Sequence, residues 1–136
     1  MIFLEDNVTT PWSTVGYLVA KRTYARRLVE DDPNSDTEEW GDVCDRVIQA
    51  CCDQLDVGFT TEENQRLQYY MRSLKGTVAG RFLWQLGTVT VEKLGLPSLQ
   101  NCAFTTVDNP VRPFTWAFDM LMLGSGVGYN IQREYV

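Results

Sequence analysis

The stretch LQNCAFTTVDNPVRPFTWAFDMLMLGSGVGYNIQ, residues 99–132, decides how the chain is read. Leu99 to Val107 has strand character with Cys102 near its centre, and Asp108-Asn109-Pro110 breaks it. Phe114, Ala117, Phe118, Leu121 and Met122 recur at helical steps. Gly124-Ser125-Gly126-Val127-Gly128 ends that helix, and Tyr129-Asn130-Ile131-Gln132 returns to strand character. Strand, helix and strand in that order read as the opening of an α/β unit.

Upstream to Gly76 the chain is a series of short apolar pieces with glycine between them: Gly80, Phe82-Leu83-Trp84 and Gly87. Val89 to Leu94 fits a strand or a helical turn equally, and Gly95-Leu96-Pro97 is a turn. Before Gly76 the pattern is helical. Val15, Leu18, Val19, Tyr24 and Leu28 predict a helix over 15–29, with Pro11 placed to open it and Lys21, Arg22, Arg26 and Arg27 in the last turns. Met1–Thr10 and Asp31–Asp36 read as loops. Trp40, Val43, Val47, Ala50, Cys51 and Leu55, widened by Cys44 and Ile48, form the stripe of an amphipathic helix. Asp36 or Thr37 is its expected cap, with Glu38 and Glu39 in the first turn, and Gly58 ends the region. Thr60 or Thr61, followed by Glu62 and Glu63, opens a third helix with a buried face of Leu67, Tyr70, Met71 and Leu74. The expected organisation is α/β: a helical region, residues 1–75, and an α/β unit, residues 76–136. The second half offers few strands and ends within one. A lone strand pair is marginal in water, so this fold is expected to be incomplete without further chain.

The 136 residues allow one domain and hardly two. At 44% hydrophobic, 22% charged and 12% aromatic, the composition is that of a soluble globular protein. No run of about 18 apolar residues predicts a membrane span, and the acidic start is unlike a signal peptide. A cytoplasmic location follows as an expectation. A net charge of −6 argues against nucleic acid as a partner. There is no histidine, which excludes Ser-His-Asp and Cys-His nucleophile systems and imidazole metal sites. The cysteines are Cys44, Cys51, Cys52 and Cys102, with no C-x-x-C spacing, and no metal site is expected.

Three features can carry chemistry. Gly124, Gly126 and Gly128 either let a ligand approach bare backbone or form a helix cap and tight turn. They do not make a dinucleotide fingerprint, because both the spacing and the helix-before-strand order are wrong. Cys102 is either a small core residue or a redox thiol facing a cleft, with Asn101 and Ala103 on the opposite face. Gly80-Arg81 either binds phosphate through amides and a guanidinium or is an exposed turn. Cys44, Cys51 and Cys52 lie on or beside the second helix's stripe and read as core.

The ordered set Thr23-Tyr24-Ala25-Arg26, Gly80-Arg81-Phe82-Leu83-Trp84 with Gly87-Thr88, Asn101-Cys102-Ala103-Phe104, and Phe118-Asp119-Met120-Leu121-Met122 with Gly124 to Asn130 resembles the N-terminal part of a ribonucleotide reductase catalytic chain. The Asn-Cys pair and the Gly-Val-Gly-Tyr-Asn run are most like the adenosylcobalamin-dependent class II enzymes. The resemblance implies a helical N-terminal region leading into the first strands of a ten-stranded α/β barrel. It implies reduction of ribonucleotides to deoxyribonucleotides by thiyl-radical chemistry, as part of deoxyribonucleotide biosynthesis for DNA replication. By position, Cys102 matches the first cysteine of a redox-active disulfide pair and Asn101 a substrate-contacting neighbour. Gly80, before Thr88, falls where the family holds substrate phosphates, and Gly126 matches a backbone contact to the nucleotide. Implied partners are the remaining C-terminal part of the reductase, the ribonucleotide, a dNTP effector and a thioredoxin-type reductant. The chain lacks the finger-loop cysteine between Asn and Glu, a partner for Cys102, a C-terminal C-x-x-C and an identifiable cobalamin-binding segment. The isolated chain is therefore expected to be inactive. The alternatives are a non-catalytic nucleotide-binding or interaction module and a class I large-subunit relative.

Overall fold

The structure, a computed structural model, describes residues 12–29 and 31–134. The expected loop at Met1–Thr10 and a helix start at Pro11 lie outside the described residues. The chain forms two compact units that divide between Gly87 and Thr88. It combines helices with a small parallel sheet.

The first unit is built on the long helix its stripe predicts. Helix α1 spans Thr14–Thr23, α2 Trp40–Leu55, α3 Thr61–Arg72 and α4 Gly80–Gln85. Trp40, Val43, Cys44, Val47, Ile48 and Ala50 of α2 are buried, and the helix packs on α3 and α4. Cys51 and Leu55, the far end of the expected stripe, are only half-buried. The Trp40 indole donates to the Met71 carbonyl at 3.0 Å, and Arg72 reaches Asp45 at 2.6 Å, so two side-chain contacts fix α3 against α2. Only Met71 is buried within α3, and Tyr70 is 50% exposed, contrary to its assignment to the inner face.

Three boundaries of the first unit differ from expectation, each for a local reason; in the second, the strands begin at Cys102 and Gly126 instead of Leu99 and Tyr129. Helix α1 stops at Thr23 instead of continuing to Val29, because residues 26–28 leave it to pair with 36–38. Arg27 bridges Thr37 in antiparallel fashion, the Glu38 N–H donates to the Arg26 carbonyl at 2.7 Å, and the Leu28 N–H to that of Asp36 at 2.8 Å. Helix α2 is capped by Glu39, not Asp36 or Thr37, and the Glu39 N–H donates to Asp42 at 2.8 Å. Glu38 thus stays outside the helix. Asp56, in the left-handed region at φ 55°, ends α2 before Gly58 is reached.

One buried ion pair ties these segments together. Arg46 on α2 donates from Nε to Glu38 Oε1 at 2.7 Å and from Nη2 to Oε2 at 3.0 Å. The two side chains are 13% and 9% exposed, which puts the pair at the level where losing one partner leaves an uncompensated charge. Gly87 packs directly beneath the Arg46 stem. Its φ is +78°, and a Cβ there would lie 2.7 Å from Arg46 Cγ and 3.1 Å from Ala50 Cβ. Its N–H donates to Gln54 at 3.0 Å.

The second unit is a strand–helix–strand arrangement preceded by α5 (Val89–Leu94) and a 3₁₀ turn (Leu96–Leu99). The ambiguous segment after Gly87 is therefore helical. Strand β1 (Cys102–Thr106) and strand β2 (Gly126–Asn130) pair in parallel, joined through α6 (Arg112–Met122). A parallel pair needs such a crossover. Pro113 sits in the first turn of α6, where its missing N–H costs nothing, and the Asn109 side chain accepts from the Val111 and Arg112 amides at 2.9 and 3.1 Å.

Two predictions follow from the first unit. Gly87→Ala combines positive φ with overlap on Arg46, and should lower the stability of the chain by about 2–4 kcal/mol, read from the urea midpoint. The Glu63 carboxylate accepts from the N–H and hydroxyl of Thr60 at 2.8 Å each, and these bonds, backbone first, hold its pKa below the ordinary value. A depressed carboxyl stabilises α3 above its unfolded pKa, and that stabilisation disappears as pH falls through the lower folded value. The Thr60 and Glu63 amide resonances should shift together across that acid range, and Glu63→Gln should abolish the shift.

Candidate functional site

The two faces of the parallel pair differ in what covers them. Ala103 and Thr105 of β1 share a face with Val127 and Tyr129 of β2 by register and alternation. Helix α6 packs on this face: the Tyr129 and Phe114 rings lie 5.5 Å apart, and Ala117 is 1% exposed. The opposite face carries Cys102, Phe104 and Thr106 beside Gly126, Gly128 and Asn130. Cys102 is exposed there, and Phe104 is 64% exposed.

Glycine keeps this face bare. Cys102 pairs with Gly126 and Phe104 with Gly128. A Cβ at Gly126 would meet nothing nearer than the Asn101 carbonyl at 3.8 Å, so packing within the unit does not require glycine. A Cβ at Gly128 would press on the Phe104 ring at 3.2 Å. The third glycine has another task. Gly124, at φ +86°, caps α6: its N–H donates to the Leu121 carbonyl and the Ser125 N–H to that of Met120, each at 2.9 Å. The cap reading of the glycine cluster thus holds at Gly124, while Gly126 lies within β2.

Asn101 enters through its backbone. Its carbonyl accepts from the Gly126 N–H at 2.9 Å, and buried Ser125 donates to the neighbouring Gln100 carbonyl at 2.6 Å. These bonds lock the start of β1 to the start of β2. The structure therefore brings Asn101, Cys102 and Gly126 together in the second unit. The result is an accessible thiol beside unobstructed strand backbone, a surface that can receive a flat or ring-shaped ligand while presenting sulfur for redox chemistry.

Gly80 belongs to the first unit. It is the exposed first residue of α4, a helical turn where the sequence suggested an irregular one. A Cβ there would lie 3.2 Å from the Tyr24 hydroxyl and 3.7 Å from its ring, so glycine lets Tyr24 close over the backbone. Sequence reasoning missed the residues that hold α4 in place. Arg26 donates to the Trp84 carbonyl at 2.8 Å from Nε and lies 5.7 Å from the Trp84 ring centre. Burial first, then the like charge of Arg46, pull Arg26 below the ordinary arginine range, and Glu38 opposes them. Arg46 itself donates to the Leu86 and Leu83 carbonyls. The available signal was a cation set beside an otherwise apolar stripe, between Val43 and Val47.

The other thiols are unlike Cys102. Cys44 is fully buried, and desolvation pushes its pKa up to about 12. Cys51 is half-buried, and burial, followed by the neighbouring Cys52, raises it too. All four thiols are free, and the two units do not share them: Cys102 is the only one in the second.

Comparison with known proteins identifies the family of the chain. The family model described as "Ribonucleotide reductase alpha domain" matches residues 3–88. An adenosylcobalamin-dependent ribonucleoside-triphosphate reductase of Lactobacillus gasseri is 32% identical over 97% of this chain. That of Lactobacillus helveticus is 32% identical over 98%. The chain spans 21% of the length of each of these relatives. A crystal structure of a B-12 dependent (class II) ribonucleotide reductase superposes with a TM-score of 0.72 at 28% identity, covering 94% of this chain and 21% of that one. The family match takes in the first unit, and the class II likeness runs through the second. The chain belongs to the ribonucleotide reductase family and is similar to its class II members.

Proposed function

We propose that this chain supplies a segment of a class II ribonucleotide reductase, which reduces ribonucleotides to deoxyribonucleotides. The observation that carries the reading is Cys102, exposed beside the bare backbone of Gly126 on a strand pair that matches a class II enzyme. The relatives' names point to ribonucleoside triphosphates as substrates. In this reading the helical region leads into the first strands of the ten-stranded barrel, with the division after Gly87 and not after residue 75. Cys102 is the first cysteine of the redox pair. In the overall reaction, a second cysteine and Cys102 lose two electrons and two protons to become a disulfide. The ribose 2′ hydroxyl leaves as water, and a hydrogen takes its place. Gly80 holds the substrate phosphates, and Asn101 and Gly126 hold the nucleotide through the start of the strand pair.

The exposed apolar residues of the second unit support a partner that completes the barrel. Phe118, Met122 and Ile131 are 69%, 84% and 73% exposed, and a two-stranded sheet does not bury enough to stand alone. The second cysteine, the radical-bearing cysteine, a dNTP effector site and the docking of a thioredoxin-type reductant belong to that further polypeptide. The relatives are named for adenosylcobalamin, and a site to hold it would belong to that further polypeptide. Two hollows of the first unit do not fit it. One is about 10 Å³, and the other, of about 460 Å³, is open and lined mainly by charged and amide groups such as Asp45, Arg46, Gln49 and Gln68. Among the described residues no helix is long and apolar enough to cross a membrane, in keeping with a soluble, cytoplasmic enzyme.

The chain alone, given adenosylcobalamin, a dithiol and ribonucleoside triphosphates, should form no deoxynucleotide. Adding the complementary polypeptide should restore reduction, and Cys102→Ala should then stop multiple turnover. Reduction by the chain alone, or full turnover by the Cys102→Ala variant, would overturn the reading. In the free chain, iodoacetamide at pH 8 should alkylate Cys102 first and Cys44 last. Mass spectrometry of timed samples reads the order.

A further inference from the structure

Helix α4 cannot orient itself. It has six residues, too few for its own hydrogen bonds to outweigh the cost of starting a helix. Its final carbonyls are met from the protein side by guanidinium groups: Arg26 donates to Trp84, and Arg46 to Leu83 and Leu86. Arg46 does more than satisfy them. The same Nη2 that reaches the Leu83 carbonyl at 3.1 Å also reaches the Tyr24 carbonyl at 3.2 Å and Glu38 at 3.0 Å. Glu38 Oε2 in turn accepts the Arg26 N–H at 2.9 Å. One planar fork therefore gathers the end of α1, the strand-like turn before α2, and the C-terminal half of α4.

The gathering has a consequence at the other end of α4. Tyr24, whose carbonyl Arg46 holds, is the residue whose hydroxyl lies over Gly80. The position of the Gly80 backbone is thus set twice by one side chain: through α4 from Leu83 and Leu86, and through Tyr24 from above. We infer that Arg46 is a positioning residue for the nucleotide, acting through α4 and Tyr24 to place the Gly80 backbone against the substrate phosphates. The inference rests on the reading of Gly80 given above. Arg46 is not a catalytic residue, since its donors are committed to protein acceptors. Lysine cannot replace it. An ammonium keeps the charge opposite Glu38 but is a compact point charge and cannot also span carbonyls on two further segments.

The test is Arg46→Lys in the reductase assembled with its complementary polypeptide. KM for the ribonucleoside triphosphate should rise about tenfold while kcat stays within about twofold, the pattern of a lost binding geometry. A merely structural role predicts the reverse: a smaller active fraction, hence lower kcat, with KM unmoved. Tyr24→Phe serves if the lysine variant does not fold; it keeps the ring and the buried ion pair but removes the hydroxyl that lies over Gly80, and should raise KM about threefold with kcat retained. An unchanged KM in the folded variant overturns the inference while leaving the reductase reading intact. An assembled wild-type enzyme that reduces no nucleotide overturns both.

Discussion

A single desolvated ion pair organises the helical unit. Arg46 and Glu38 are both nearly out of water, so each has to be matched at close to every polar atom. The match is found in main chain: carbonyls of Tyr24, Leu83 and Leu86 for the guanidinium, the Arg26 amide for the carboxylate. This requirement explains several local departures from simple helix rules. Helix α1 ends early so that residues 26–28 can lie beside 36–38, and Glu38 is kept out of α2 so that it can face Arg46. Gly87 is needed because the arginine stem occupies the space a side chain would fill.

The second unit works on a different principle. It is held by a short parallel ladder and one covering helix, and it leaves its other face open. What is fixed there is backbone: Asn101 to Gly126, Gln100 to Ser125. The strand start that carries Cys102 is therefore defined by main-chain bonds, while the thiol itself is exposed.

The parts legible from sequence were those with a strong period or a complete local signal. The α2 stripe, the Thr60–Glu63 cap and the strand, helix and glycine order of residues 99–132 are of this kind. Cys102 could be singled out because its strand was readable, whereas Gly126 read as part of the turn after the helix and stood out only through the family resemblance. The early end of α1 was not legible, since residues 24–28 keep a helical rhythm and only pairing with distant residues 36–38 overrides it. The Arg46 fork was hidden for a related reason. Its acceptors are carbonyls, which every residue carries, so no side-chain motif marks them. Tyr70 shows the same in reverse: its spacing fits the inner face of α3, but too little is packed there to bury it.

The bare strip along β2 sets stability against use. Valine or isoleucine would suit a strand better than glycine, and a Cβ at Gly126 would make only ordinary contact, 3.8 Å from the Asn101 carbonyl. A redesign guided by folding energy alone would therefore choose them, and would raise a wall next to the sulfur. Under the proposed reading of this face, hardening the region against heat and keeping it useful are opposed aims at one position.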